Sequence, residues 1–123
     1  EFGNSSGLGL IKGTVKKFKP CSNNFIKYPV PQIGWNKINK ETDLWNNSLL
    51  KNNLSRDFMY FVHSYFVDPK IKNIIISSTT YGDVKYCSSI QENNIFACQF
   101  HPEKSGEIGL NLYRNLKKDY CSK

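Results

Sequence analysis

An α/β fold built from mixed β-sheet strands and one C-terminal helix is predicted by three features of this sequence. A series of short apolar or β-branched runs stands between turn-forming residues, which is a strand signature. The final apolar stretch changes to a helical period, with acidic and basic residues at the ends a helix dipole prefers. The length of 123 residues fits one domain or part of one and is enough to bury a core.

The elements follow in order. Residues 8–18 are rich in apolar and β-branched side chains and come after Gly3 and Gly7, which punctuate as turns. Residues 30–38 read as a second strand behind Pro29 and Pro31. Residues 57–67 are aromatic and apolar without alternation, a pattern that predicts a strand covered on both faces. Between these two strands, residues 39–55 are polar and Asn-rich. Leu44, Trp45, Leu49, Leu50 and Leu54 recur there at near-helical spacing, so a short helix or a packed loop fits. Strands over 74–80, 84–90 and 95–100 complete the set, separated by Gly82-Asp83 and by Glu92-Asn93-Asn94. If the sheet lacks neighbours, the apolar run Ile74-Ile75-Ile76 is expected to face an unpaired, association-prone edge. Residues 105–120 predict a helix. Ser105 is its N-cap, and Ile108, Leu112 and Asn115 form its stripe beside Leu116, with Gly109 and Asn111 elsewhere on the surface.

Composition narrows the function classes. The net charge is +7, yet the lysines are scattered, with no Arg-rich run and no nucleic-acid fingerprint. No nucleic-acid partner is expected. No apolar run reaches the roughly 18 residues of a membrane span, so no membrane partner is expected either. The cysteines are Cys21, Cys87, Cys98 and Cys121, with no CxxC pair, which predicts free thiols in a reducing, cytoplasmic setting. The N-terminus has no initiator Met and no leader pattern, so a piece of a longer protein is expected.

The segment that carries chemistry is Gln99-Phe100-His101-Pro102-Glu103-Lys104-Ser105-Gly106. An apolar strand delivers a histidine, Pro102 stops the ladder because it has no N–H, and a carboxylate follows two residues on. A neutral imidazole in that place can take a proton from a thiol, with the carboxylate orienting the ring and stabilising the imidazolium. The plain alternative is an exposed strand-to-helix turn. Cys98 is three residues from His101. Along a regular strand that is roughly 10 Å and an odd separation, so Cys98 points away from the base. His63, the other histidine, has no partners at zinc-site spacing and reads as a packed or hydrogen-bonded strand residue. No metal and no cofactor are expected. Trp35 and Tyr60 read as core or half-buried aromatics, and Lys104 as a solvated lysine.

Further segments occur in a fixed order: Gly7-Leu8-Gly9-Leu10-Ile11-Lys12-Gly13-Thr14-Val15, Gly34-Trp35-Asn36, Tyr60-Phe61-Val62-His63-Ser64-Tyr65, Thr80-Tyr81-Gly82, then the His101 segment. Together they resemble the C-terminal half of the glutamine amidotransferase subunits of imidazole glycerol phosphate synthases, in the class I glutamine amidotransferase family. The resemblance implies a flavodoxin-like α/β fold and a Cys-His-Glu triad that hydrolyses glutamine to glutamate and ammonia through a thioester. It implies a heterodimer in which ammonia passes to a (β/α)8-barrel cyclase of histidine biosynthesis. On this pattern His101 is the general base and Glu103 its orienting acid, Ser64 and Tyr65 contact glutamine, and Trp35, Asn36, Tyr60 and Lys104 face the cyclase.

One part of the pattern is missing. The family nucleophile sits on a Gly-x-Cys-x-Gly elbow upstream of the matching segment, and no cysteine here has that context. Residues 1–123 are therefore expected to be the C-terminal portion of one domain, inactive alone. Two alternatives stay open at this point. One is supply of ammonia to sugar amidation for surface polysaccharides, and the other is a truncated non-catalytic module that only binds the partner.

Overall fold

The computed structural model describes residues 3–23 and 26–120. Cys121 and the side chain of Cys21 lie outside the described residues. The strands are β1 Gly13–Lys17, β2 Cys21–Asn23, β3 Ile26–Tyr28, β4 Gln32–Lys37, β5 Asn39–Lys40, β6 Phe58–His63, β7 Tyr65–Pro69, β8 Ile75–Tyr81, β9 Val84–Glu92 and β10 Ile95–Cys98. Short 3-10 turns cover Asp43–Asn47, Lys72–Ile74 and Pro102–Lys104, and helix α1 spans Gly106–Tyr120. A strand lies within each predicted run and the C-terminal helix is present, although the first run is strand only over Gly13–Lys17 and not from residue 8.

The largest sheet has the order β10-β9-β8-β5, and the remaining strands pair as β1-β7, β2-β3 and β4-β6. Each pairing among the described residues is antiparallel. Gly82 turns β8 into β9 with φ +62°, and Asn93 turns β9 into β10 with φ +52°. Both residue types tolerate the left-handed region, which is why tight two-residue loops form there. Phe18, Ile38, Trp45, Leu50, Met59, Phe61, Ile76, Tyr86, Phe100 and Leu112 form one buried core.

Four expectations need correction. Ile74 and Ile76 do not face an open edge: both are buried, and β8 is paired by β9 on one side and β5 on the other. Residues 57–67 are not one strand. The chain breaks at Ser64 because β6 pairs with β4 while β7 pairs with β1. Nor is β6 covered on both faces. Met59 and Phe61 are fully buried, whereas Phe58 is 47% and Val62 38% exposed. Finally, α1 buries Gly109, Leu112 and Asn115, and leaves Ile108 and Leu116 partly exposed. Gly109 is interior because a Cβ there would lie 2.1 Å from the Pro102 carbonyl oxygen.

After β5, residues 41–55 form a packed loop around the turn at Asp43–Asn47. The Trp45 indole donates to the Asn53 carbonyl at 3.2 Å, and Leu50 is fully buried. Asn53 Nδ2 donates to the Ile108 carbonyl and Asn115 Nδ2 to the Leu49 carbonyl, both at 2.9 Å, which ties the loop to α1. Among the described residues, no helix is long and apolar enough to cross a membrane.

Candidate functional site

Strand β10 runs antiparallel to β9, and the Gln99 N–H donates to the Ser88 carbonyl at 2.9 Å, extending the pairing past Cys98. Phe100 then enters the core. The next N–H, that of His101, donates instead to the Tyr60 carbonyl on β6 at 2.8 Å. The chain changes partner at His101, and Pro102, at the start of its 3-10 turn, ends strand geometry there. His101 therefore sits at a sheet end, its backbone held by β6 and its side chain 38% exposed.

The imidazole is held by Glu103. His101 Nδ1 lies 2.8 Å from Glu103 Oε1. With the carboxylate ionised, Nδ1–H donates to it, and Nε2 keeps its lone pair free to accept a proton. The Glu103 carboxyl is lowered from its ordinary value, first by its own backbone N–H and then by the hydrogen bond from His101. Tyr113 on α1 also faces this acid. Its hydroxyl is raised by burial first and then by the Glu103 charge.

Neither described thiol, Cys87 or Cys98, is placed to react with this imidazole. The Cys98 thiol donates to the Phe100 carbonyl at 3.5 Å. Burial, and next the charge of Glu103, push its pKa up to about 12. Cys87 is buried and likewise pushed up to about 12, by burial first. Thiols at such values carry almost no thiolate at neutral pH, and the thiolate is the nucleophile. Among the described residues no cluster of His, Cys, Asp and Glu could hold a metal ion.

Ser64 and Tyr65 lie at the break between β6 and β7. The Ser64 carbonyl accepts from the Phe18 N–H at 3.0 Å. The Tyr65 carbonyl accepts from His63 Nδ1 at 2.8 Å, and the Lys17 ammonium lies 5.5 Å from the centre of the Tyr65 ring. Tyr65 lines an open groove that also runs past Cys98 and Gln99. Among the described residues no hydrogen bond joins Ser64 or Tyr65 to His101. His63, which donates to the Tyr65 carbonyl, has its pKa lowered by burial first and, to a smaller degree, by the charge of His101.

Trp35, Tyr60 and Lys104 come together on one surface. Trp35 and Tyr60 are cross-strand partners, their rings 6.0 Å apart in a T-shaped contact, and the Lys104 ammonium lies 5.9 Å from the Tyr60 ring centre. Trp35 is 56% exposed, so it is not the core aromatic that its residue type suggests. Ile33, paired with Val62, and Phe58, paired with Lys37, extend the same apolar face. Asn36 does not join them. Alternation turns it away, and its Nδ2 donates to the Thr80 carbonyl at 2.9 Å.

Sequence reasoning missed Ser105. Its hydroxyl does not cap α1. It donates to the His101 carbonyl at 2.6 Å and accepts from the Tyr60 N–H at 2.9 Å. The first of these is a local bond to the fourth residue back, a known habit of serine that competes with capping, and that is the signal that could have exposed it. Also missed was the buried chain in which His63 Nε2 lies 3.2 Å from the Tyr86 hydroxyl, itself 3.0 Å from Gln32 Oε1. Its members are far apart in sequence, so nothing local marks it.

Comparison with known proteins adds a second line of support. The family model for glutamine amidotransferase class-I matches residues 17–116. The chain is similar to the imidazole glycerol phosphate synthase subunit HisH of Chlorobium luteolum, 46% identical over 117 residues, covering 94% of this chain and 54% of that protein. The subunit hisH of Cyanophora paradoxa is 40% identical over 125 residues, covering 99% of the chain and 54% of that protein. That of Hydrogenovibrio crunogenus is 46% identical over 111 residues, with 89% and 48% covered. The chain thus spans about half the length of the curated relatives it matches.

Proposed function

This chain belongs to the class I glutamine amidotransferase family, and on that premise we propose that it is the C-terminal portion of a cytoplasmic glutaminase subunit of imidazole glycerol phosphate synthase. In this reading the whole protein hydrolyses glutamine to glutamate and ammonia. The ammonia goes to a (β/α)8-barrel cyclase bound as the other half of a heterodimer in histidine biosynthesis. The names of the relatives favour this pathway over sugar amidation. The observation that carries the reading is the 2.8 Å contact between His101 Nδ1 and Glu103 Oε1 at the end of β10, with Nε2 left free.

The chemistry follows from that contact. A thiol from the part of the domain outside this chain gives its proton to His101 Nε2, and its sulfur attacks the glutamine carboxamide carbon. Glu103 fixes the tautomer and stabilises the imidazolium. The imidazolium then returns the proton to the leaving nitrogen, so ammonia departs and a thioester remains. Water, deprotonated by the same imidazole, hydrolyses the thioester to glutamate and the free thiol. Ser64 and Tyr65 contact glutamine. Trp35, Tyr60 and Lys104 face the cyclase, and Asn36 braces the same strand through Thr80.

The test is glutamate release by the full-length subunit with its cyclase. His101→Ala is expected to lower kcat by about 10²- to 10⁴-fold, the usual worth of a positioned base. Glu103→Ala is expected to lose less, since it acts through the ring. A His101→Ala enzyme within tenfold of the parent would overturn the assignment. Residues 1–123 alone are expected to release no glutamate, because none of the four cysteines stands in a Gly-x-Cys-x-Gly elbow. Activity in the isolated chain that disappears in Cys98→Ser would show that the nucleophile lies within it.

A further inference from the structure

We propose that Ser105 is the positioning residue that sets His101, through one hydroxyl that clamps the His101 carbonyl to the backbone of β6. This rests on the reading of His101 as the base. Ser105 is buried, 3% exposed, although it stands at the turn between the Pro102–Lys104 segment and α1. Its single hydroxyl proton is directed to the His101 carbonyl at 2.6 Å, and its lone pair accepts the Tyr60 N–H at 2.9 Å. The His101 N–H in turn donates to the Tyr60 carbonyl at 2.8 Å. The two backbone groups of Tyr60 are thus both engaged by the His101–Ser105 segment, one directly and one through the hydroxyl.

The geometry points to position rather than general stability. Pro102 removes the next backbone donor, so ordinary strand pairing cannot continue past His101. Without the hydroxyl, only one hydrogen bond would tie His101 to the sheet. The Tyr60 N–H would lose its partner and the His101 carbonyl would keep only the Lys104 N–H, and an unpaired buried donor seeks a replacement by moving. The ring of His101 is oriented by Glu103, which lies inside the Pro102–Lys104 turn. His101 stands just before that turn, so a shift of its backbone disturbs both its contact with Glu103 and its placement against a thiol outside the turn. Catalysis of this kind is sensitive to misplacement of about 1 Å. Tyr60 also carries the half-buried ring that meets Trp35 and Lys104. The clamp thus joins the base to a residue whose side chain lies on the apolar face.

The test uses the full-length subunit in complex with its cyclase and compares Ser105→Ala and Ser105→Cys with the parent. Amide exchange at Tyr60 is expected to quicken at least tenfold, while amides pairing β6 with β4 keep their protection. Long-range nitrogen spectra of the His101 ring are expected to change from one fixed tautomer to an averaged pair. The kcat for glutamate release should fall on the order of ten- to a hundredfold, with KM for glutamine within twofold. Unchanged Tyr60 exchange and an unchanged His101 ring would overturn the proposal, as would a loss that appears only in KM. If Ser105→Ala does not fold, the nearly isosteric Ser105→Cys supplies the same readouts. If His101→Ala retains turnover, the base assignment falls, and the exchange and ring spectra still decide whether the clamp exists.

Discussion

Protonation of His63 reverses a chain of hydrogen bonds buried beside the candidate site. His63 Nδ1 donates to the Tyr65 carbonyl, since a carbonyl can only accept. In the neutral ring Nε2 is then an acceptor and takes the Tyr86 hydroxyl proton. Tyr86 has no second proton, so Gln32 must offer it an amide N–H. In the charged ring Nε2–H donates to Tyr86, which then donates to Gln32 Oε1 at 3.0 Å. The His63 pKa is lowered, by burial first. A lowered histidine adds stability above its unfolded value, near 6.5, and that contribution is lost as pH falls through the lower folded value. The domain is expected to lose stability as pH falls below about 6.5, and His63→Gln, which cannot titrate, to flatten that slope. Denaturant midpoints at several pH values measure it, and parallel slopes for parent and variant would refute it. The site residues were unequally legible in the sequence. His101 and Glu103 adjoin and announce themselves through the proline between them. The partners of His63 lie on β4 and β9 and meet it only in the fold.

Gly109 governs how closely α1 approaches the turn that carries Glu103. A Cβ at this position would meet the Pro102 carbonyl oxygen at 2.1 Å and the Ser105 Cβ at 2.6 Å, and the first of these is backbone. Alanine is normally the better helix residue by about 1 kcal/mol. Here the clash outweighs that gain, because overpacking costs typically about 1–3 kcal/mol and a backbone oxygen cannot rotate away. Gly109→Ala is expected to lower the melting temperature by several degrees and to weaken the His101–Glu103 contact, whereas Ile108→Ala, on the partly exposed side, is expected to do neither. Melting curves and the His101 ring spectrum separate the two outcomes, and a Gly109→Ala protein as stable as the parent would remove the argument. The element pattern shows why this packing escaped sequence reading. Strands β4, β8, β9 and β10 are legible because apolar and β-branched residues cluster between turn signals. The helix is legible as a helix, but its buried stripe is not, since Gly109 and Asn115 are interior for reasons of close approach and hydrogen bonding rather than apolarity. The division at Ser64 was hidden because aromatic composition is continuous across two strands with different partners.

The two tryptophans occupy opposite environments, one in the core and one on an open apolar face. Trp45 is 2% exposed, belongs to the main core and donates its indole N–H to Asn53. Trp35 is 56% exposed on the open face of β4 and β6. Neither role follows from residue type. Trp45 lies in a polar, Asn-rich stretch that looks like surface, while Trp35 lies in a strand that looks like core. Truncating a buried Trp costs about 3–5 kcal/mol, a large share of the roughly 5–15 kcal/mol that stabilises a domain. Truncating Trp35 removes one aromatic contact with Tyr60, worth about 0.5–1.5 kcal/mol. An exposed aromatic beside Ile33, Phe58 and Val62, rimmed by Lys37 and Lys104, has the make-up of an interface hot spot. Trp45→Ala is therefore expected to unfold the domain or lower its melting temperature sharply. Trp35→Ala is expected to melt within a few degrees of the parent and to bind the cyclase at least about thirtyfold more weakly, the factor for a hot spot of about 2 kcal/mol. Titration calorimetry with the cyclase gives the affinity, and fluorescence gives the assignment. The Trp35 emission should be red-shifted and readily quenched in the free subunit, then move to the blue on binding, while Trp45 stays blue throughout. Full affinity in Trp35→Ala, or no change in its emission on binding, would place the cyclase on another face of the molecule.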